Sequence, residues 1–148
     1  IMSEHSPIRR IRIYWRWNGI KYWVQNHFVR HKFGVEWWVS TQRTDRTGVD
    51  RNSKPQDSPV NLAGEADAQA LINISRRRLC NCASSETRQA WQEVKDKVAE
   101  VEPELASCMV KECIYRGFCP EMFSCGYDKT EAFQAELKEY RKGINGNE

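Results

Sequence analysis

RRIRIYWRWNGIKYWVQNHFVRHKFGVEWWVS, residues 9–40, changes its hydrophobic period twice, and those changes set the fold class. From Arg9 to Trp17 the period is two. Ile11, Ile13, Trp15 and Trp17 share one face, and Arg10, Arg12, Tyr14 and Arg16 the other. This is the pattern of a strand with one buried face, and Asn18-Gly19 is expected to end it. From Ile20 the period lengthens: Ile20, Trp23, Val24, His27, Phe28 and His31 line one face of a helix. The helix is expected to end near Arg30-His31-Lys32, where cations suit the negative end of its dipole. Phe33 to Ser40 returns to β-forming residues and is expected to be extended.

Outward from this strand-helix-strand unit, assigned to residues 9–43, the chain becomes polar. Residues 44–64 hold Thr, Asp, Asn, Ser, Gly and two prolines and read as a loop. Residues 65–106 read as helical. A first helix runs from Glu65 to Leu79, with Ala68, Leu71, Ile72, Ser75 and Leu79 on one side. A second is capped by Ser84 or Ser85, has the stripe Trp91, Val94, Val98 and Val101, and ends at Pro103. A cysteine-rich loop is assigned to 107–127. Thr130 caps a final helix bearing Phe133, Leu137 and Tyr140, within a C-terminal helix and tail at 128–148. The fold class expected is α+β: one domain over residues 1–148, a small antiparallel sheet packed with helices.

Composition narrows the function classes. No apolar run approaches the roughly 18 residues of a membrane span, so no membrane partner is expected. The start, IMSEHSPIRR, lacks a signal-peptide core, and a cytoplasmic location is expected. The net charge of +3 divides into +7 over residues 1–82 and −4 over residues 83–148. The basic half favours an anionic ligand, phosphate above all. Nine of the 16 aromatic residues fall between Tyr14 and Trp38, which suits either a core or a surface that stacks bases.

The chemistry concentrates in Arg30-His31-Lys32, followed by seven residues and Ser40. Two permanent cations and an imidazole can grip phosphate or polarise a ring edge, and a serine hydroxyl adds a directed hydrogen bond. This stretch resembles the Arg-His-Arg, seven residues, Ser signature of the flavin-dependent thymidylate synthases, with Lys32 in place of the last arginine. A second match runs Asp67-Ala68-Gln69-Ala70-Leu71-Ile72-Asn73, then Arg78-Leu79-Cys80, then Ala83-Ser84-Ser85-Glu86-Thr87-Arg88. A third is Cys113…Gly117-Phe118-Cys119-Pro120-Glu121…Cys125-Gly126. The three stand in the family's order and cover the chain from Ile11 to Gly126.

The resemblance implies a trimmed version of that family's fold. It also implies methyl transfer to C5 of deoxyuridine monophosphate, or of a related pyrimidine nucleotide. FAD would be the cofactor, NADPH and methylene-tetrahydrofolate the co-substrates, and the assembly a homotetramer with shared sites. By the same resemblance Arg30, His31, Lys32, Asp67, Gln69 and Asn73 would contact the flavin. Arg30, Ser40, Arg43 and Arg78 would contact the nucleotide, with Ser40 and Arg78 at the reacting ring. The chain departs from the pattern at Ser40-Thr41-Gln42-Arg43, where the family has Ser-x-Arg-Tyr, and only 26 residues separate Ser40 from Asp67, where the family carries several helices. These departures leave open a non-catalytic nucleotide- or flavin-binding protein. A zinc-containing nucleic-acid-binding domain ranks third, resting on Arg10, Arg12, Arg16 and Lys21 among the tryptophans.

The six cysteines form a separate signal. Cys80 and Cys82 are one residue apart, and Cys108, Cys113, Cys119 and Cys125 follow within 18 positions. Such clustering suits structural zinc, an iron–sulfur cluster or buried free thiols. For zinc the set is Cys80, Cys113, Cys119 and Cys125, with Cys82 or Cys108 as substitutes.

Overall fold

The computed structural model describes residues 1–145. Three strands form one antiparallel sheet in the order β1-β3-β2: β1 is Arg12–Lys21, β2 Val35–Val39 and β3 Pro59–Asp67. Seven α-helices accompany it among the described residues: α1 Tyr22–Phe28, α2 Thr44–Thr47, α3 Ala68–Arg78, α4 Ser85–Val101, α5 Pro103–Cys108, α6 Glu112–Arg116 and α7 Glu131–Asn145. The class is α+β, and no described helix is long and apolar enough to cross a membrane.

The period-two face of β1 points inward as expected, but the strand does not stop at Asn18-Gly19. Gly19, at φ +87°, is the extra residue of a bulge between the pairs Asn18–Asn61 and Ile20–Val60, and pairing resumes to Lys21. Ile20 therefore belongs to β1 rather than to a helix, α1 is two turns long, and His31 lies beyond its end.

The larger correction concerns residues 44–67. The second half of the expected polar loop is the central strand, and Glu65 to Asp67 continue that strand instead of starting a helix. Val60, Leu62, Gly64 and Ala66 are its inward residues. They are small in the middle because Gly64 stands directly between Trp15 on β1 and Trp37 on β2. Those two indoles close over the glycine edge to face, with centroids 5.5 Å apart. Trp17, Phe28 and the fully buried Trp91 complete this cluster of rings. Trp91 Nε1 donates to Ser75 Oγ at 2.9 Å, tying α4 to α3.

α3 begins where Asp67 accepts from the Ala70 amide at 2.8 Å. Its expected stripe of Ala68, Leu71, Ile72, Ser75 and Leu79 is buried. Ser84 caps α4, and Trp91, Val94 and Val98 are buried, but Val101 is 67% exposed because α4 outruns the core there. The cysteine-rich loop contains α6. With α7 it forms a second apolar cluster of Val110, Cys113, Ile114, Phe133 and Leu137. Thr130 Oγ1 accepts from the Phe133 amide at 3.2 Å, the expected cap of α7. The tail expected at 146–148 lies outside the described residues.

Candidate functional site

The segment from His27 to Gly34 is held along the length of α3. At one end, Gly34 donates no side chain because none fits: at φ +71°, a Cβ there would meet Asp67 Oδ2 at 2.7 Å. The Asp67 amide donates to Gly34 O at 3.0 Å. In the middle, Trp37 Nε1 donates to His31 O at 2.9 Å, anchoring the motif to the aromatic core. At the other end, Arg78 in the last turn of α3 donates from Nε to His31 Nε2 at 2.8 Å and from Nη2 to His27 O at 2.6 Å. Residues 47 apart in sequence thus share one hydrogen bond.

This geometry fixes the chemistry of both side chains. His31 Nε2 is an acceptor, so its proton sits on Nδ1. Burial, and then the positive charges of Arg78 and Arg77, push its pKa down to about 4, so the ring is neutral near pH 7 and offers an Nδ1–H donor. Burial also lowers Arg78, followed by the nearby charges of Arg30 and Arg77. Arg78 keeps its Nη1 edge free of the two bonds described. Arg30 and Lys32 are exposed and form no ion pair among the described residues, whereas Arg77 is paired with Glu121 at 2.7 Å. Arg30, Arg77 and Arg78 therefore gather positive charge around a neutral imidazole, an arrangement that suits an anionic or electron-rich ligand.

The remaining expected site residues lie elsewhere in the chain. Ser40 follows β2, its amide bonded to Asn61 O at 3.0 Å. It lines a cleft of about 460 Å³ with Tyr22, Gln25, Arg43, Arg51 and Lys54, toward the start of α1 and away from His31. Arg43 is engaged with Asp45 through two bonds of 2.9 and 2.7 Å. Gln25 is the residue that sequence reading missed. It is buried, and its Oε1 has no hydrogen-bond partner, although it lines the cleft that contains Ser40. The available signal was a glutamine beside the apolar stripe of α1.

Gln69 and Asn73 occupy the opposite side of α3 from Arg78. Gln69 Nε2 bonds to Glu4 and, at 3.4 Å, to Asn73 Oδ1. Arg76, on the same side, pairs with Glu4 at 2.9 Å and covers the Tyr115 ring at 3.5 Å. It is an internal tether rather than the surface charge that a run of three arginines suggests. Asp67 is taken up as the cap of α3, close to Gly34.

The His31 environment has a measurable consequence. Its folded pKa lies below the ordinary 6.5, so as pH falls below 6.5 the unfolded chain takes up a proton that the folded chain resists. Stability is complete above pH 6.5 and is lost down to about pH 4. His27, lowered by burial and then by Arg78 and Arg30, acts in the same direction. His31 is partly open to water, so the loss expected is about 1–2 kcal/mol rather than the full shift. Urea unfolding at pH 7 and pH 4.5 measures it. His31→Gln, which keeps an acceptor for Arg78, is expected to remove most of the slope. An unchanged slope in that variant contradicts the assignment.

Comparison of the chain with protein-family models, with curated proteins and with solved structures finds no match.

Proposed function

We propose that this chain is a short flavin-dependent thymidylate synthase-like protein, which binds a deoxyuridylate-like nucleotide and FAD and modifies C5 of the pyrimidine. One observation carries the reading: the Arg30-His31-Lys32 match and the Arg78 match, independent in sequence, meet in the 2.8 Å bond between His31 and Arg78.

Several of the residues present have the chemistry that the two ligands need. Arg30 and Lys32, exposed and without an ion pair among the described residues, suit phosphate or pyrophosphate. The His31 Nδ1–H suits an acceptor on a flavin edge. The Gln25 carbonyl, buried and without a donor, suits an N–H such as that of a uracil ring, with Ser40 beside it. When bound, the flavin supplies the hydride and is recharged by NADPH, with methylene-tetrahydrofolate as the one-carbon donor. The chain's own part is positional and electrostatic: Arg78 presents its free Nη1 edge to charge developing on the pyrimidine, and the neutral His31 holds that guanidinium in orientation.

The placement of the expected residues bears on assembly. Arg78, Ser40 and the Gln69–Asn73 pair face three directions, so one chain does not enclose a nucleotide with all of them. A homotetramer that brings these surfaces together across subunits accommodates the separation. The exposed sheet face bearing Tyr14 and Trp38 is available for such packing.

The non-catalytic alternative, a nucleotide- or flavin-binding protein, is favoured by one specific feature, the engagement of Arg43 by Asp45. The nucleic-acid reading keeps only Tyr14 and Trp38 on the exposed sheet face as stacking groups, because Trp15, Trp17, Trp37 and Phe28 form the ring cluster of the core. The deciding experiment titrates purified protein with FAD, following the flavin bands, and then adds NADPH, methylene-tetrahydrofolate and deoxyuridine monophosphate tritiated at C5. Bound flavin with tritium release supports the enzyme. Bound flavin or nucleotide without release supports the binding protein. Absence of both ligands overturns the proposal.

A further inference from the structure

Five of the six cysteines converge on one cavity of about 280 Å³ at the end of α3. They arrive on three separate segments. Cys80 and Cys82 lie in the turn between α3 and α4, Cys113 in α6, and Cys119 and Cys125 in the loop between α6 and α7. All are free thiols, and Cys108, buried in α5, is not among the lining residues. Cys82 lies beside Cys80 and Cys125, while Cys113 lies near Cys80 and Cys119.

Apolar packing accounts for Cys113 and Cys119, which belong to or pack against the second apolar cluster, but not for the return of Cys82 and Cys125 to the same cavity. Cys82 and Cys125 are exposed, and Phe118, Met122 and Phe123, the large apolar residues of the same loop, face water. The only ion pair from that loop into the rest of the chain, among the described residues, is the exposed one between Glu121 and Arg77. Such pairs contribute little. The loop nevertheless returns two thiols to the turn that follows α3. Among the described residues no three donors already surround a common point, so metal binding requires the thiols to converge.

We propose that the chain binds one zinc ion through Cys80, Cys82, Cys113 and Cys125, pinning the loop after α6 to the turn that follows α3. Cys82 replaces Cys119 in the set expected from spacing, because Cys82 and Cys125 are exposed where they line the cavity, whereas Cys119 packs against the second apolar cluster. Thiolate ligands select zinc over magnesium or calcium, in tetrahedral geometry. Binding releases one proton per ligating thiol and leaves a tetrathiolate centre of net negative charge. Arg76, Arg77, Arg78 and Lys111 line the same cavity together with Glu112, Glu121 and Asp128, and of the four cations Arg78 alone has no carboxylate partner among the described residues. A free thiol is protonated near neutral pH, whereas zinc is held by thiolates. A divalent cation reverses that balance. The metal proposal does not presuppose flavin or nucleotide binding, although Arg78 lines the same cavity.

The test is elemental analysis of the full chain purified under reducing conditions without chelator, together with cobalt substitution. The expected result is one equivalent of zinc, replaceable by cobalt with the visible bands of tetrahedral thiolate coordination. Cys82→Ser and Cys125→Ser, both at exposed positions, are expected to lose the metal with unchanged far-ultraviolet circular dichroism. Cys108→Ser and Cys119→Ser are expected to keep it. Substoichiometric metal with no cobalt bands overturns the proposal, as does iron with acid-labile sulfide. Retention by Cys82→Ser with loss by Cys119→Ser overturns the ligand set.

Discussion

Gly64→Val is expected to lower the stability of the fold by about 3 kcal/mol, a loss on the order of a hundredfold in the folding equilibrium. A Cβ at Gly64 would stand 2.6 Å from Trp15 Cζ2 and 2.7 Å from Trp37 Cζ3. Neither indole can retreat alone. Trp15 also packs edge to face against Trp17 and Trp91, and Trp37 holds His31 O through its indole N–H. Relief therefore requires displacing the ring cluster or spreading the sheet. The gain from a β-branched residue in a strand, up to about 1 kcal/mol, only partly offsets this. Ala63→Val is the matched control. It adds similar bulk one residue away, where the side chain points to the other face of the sheet. A change within about 0.5 kcal/mol is expected there. Urea unfolding followed by tryptophan fluorescence measures both. Equal effects of the two substitutions contradict the packing account.

The same glycine explains what was legible in the sequence. β1 announces itself because its inward residues are large: Ile13, Trp15 and Trp17 alternate with arginines and a tyrosine. β3, the central strand, carries the complement of that surface. Its inward residues must be small where the tryptophans of β1 and β2 fold over them, so Gly64 and Ala66 mute the alternation, and Glu65 and Asp67 mimic the start of a helix. A strand whose shape is set by its neighbours' side chains is hard to read from its own.

In the site, the spacing of Arg30 to Ser40 and the helical placement of Arg78 were legible, but the contact between them was not, since it depends on residues 27–34 lying along α3. The separation of Gln69 from Arg78 was readable in principle. Nine residues at about 100° each place them half a turn out of phase. The engagement of Arg43 by Asp45, two residues on, is a local contact that the sequence offered, whereas the burial of Gln25 is a tertiary outcome that local pattern does not carry.

Arg78→Ala is expected to reduce C5 tritium release by about 10²- to 10³-fold while leaving the fold intact, which is the largest functional effect among the site residues. Arg78→Lys is expected to recover little of it. The guanidinium makes two directed bonds, to His31 Nε2 and to His27 O, and still presents a third edge. An ammonium on a flexible stem reproduces the charge but not that fork. A purely structural role would lower activity through stability alone, so the decisive readout is His31 itself. Its pKa of about 4 arises first from burial and then from the Arg78 and Arg77 charges. Removing Arg78 is expected to raise it toward, but not to, 6.5, while Arg78→Lys leaves it depressed. Following the imidazole proton shifts of both variants by nuclear magnetic resonance across pH 4 to 7 separates the contributions. If Arg78→Ala loses turnover while His31 titrates as before, the two side chains are not coupled, and the bond that joins the two sequence matches has no part in the chemistry. If Arg78→Lys retains full turnover, charge alone suffices, and the oriented guanidinium loses its role.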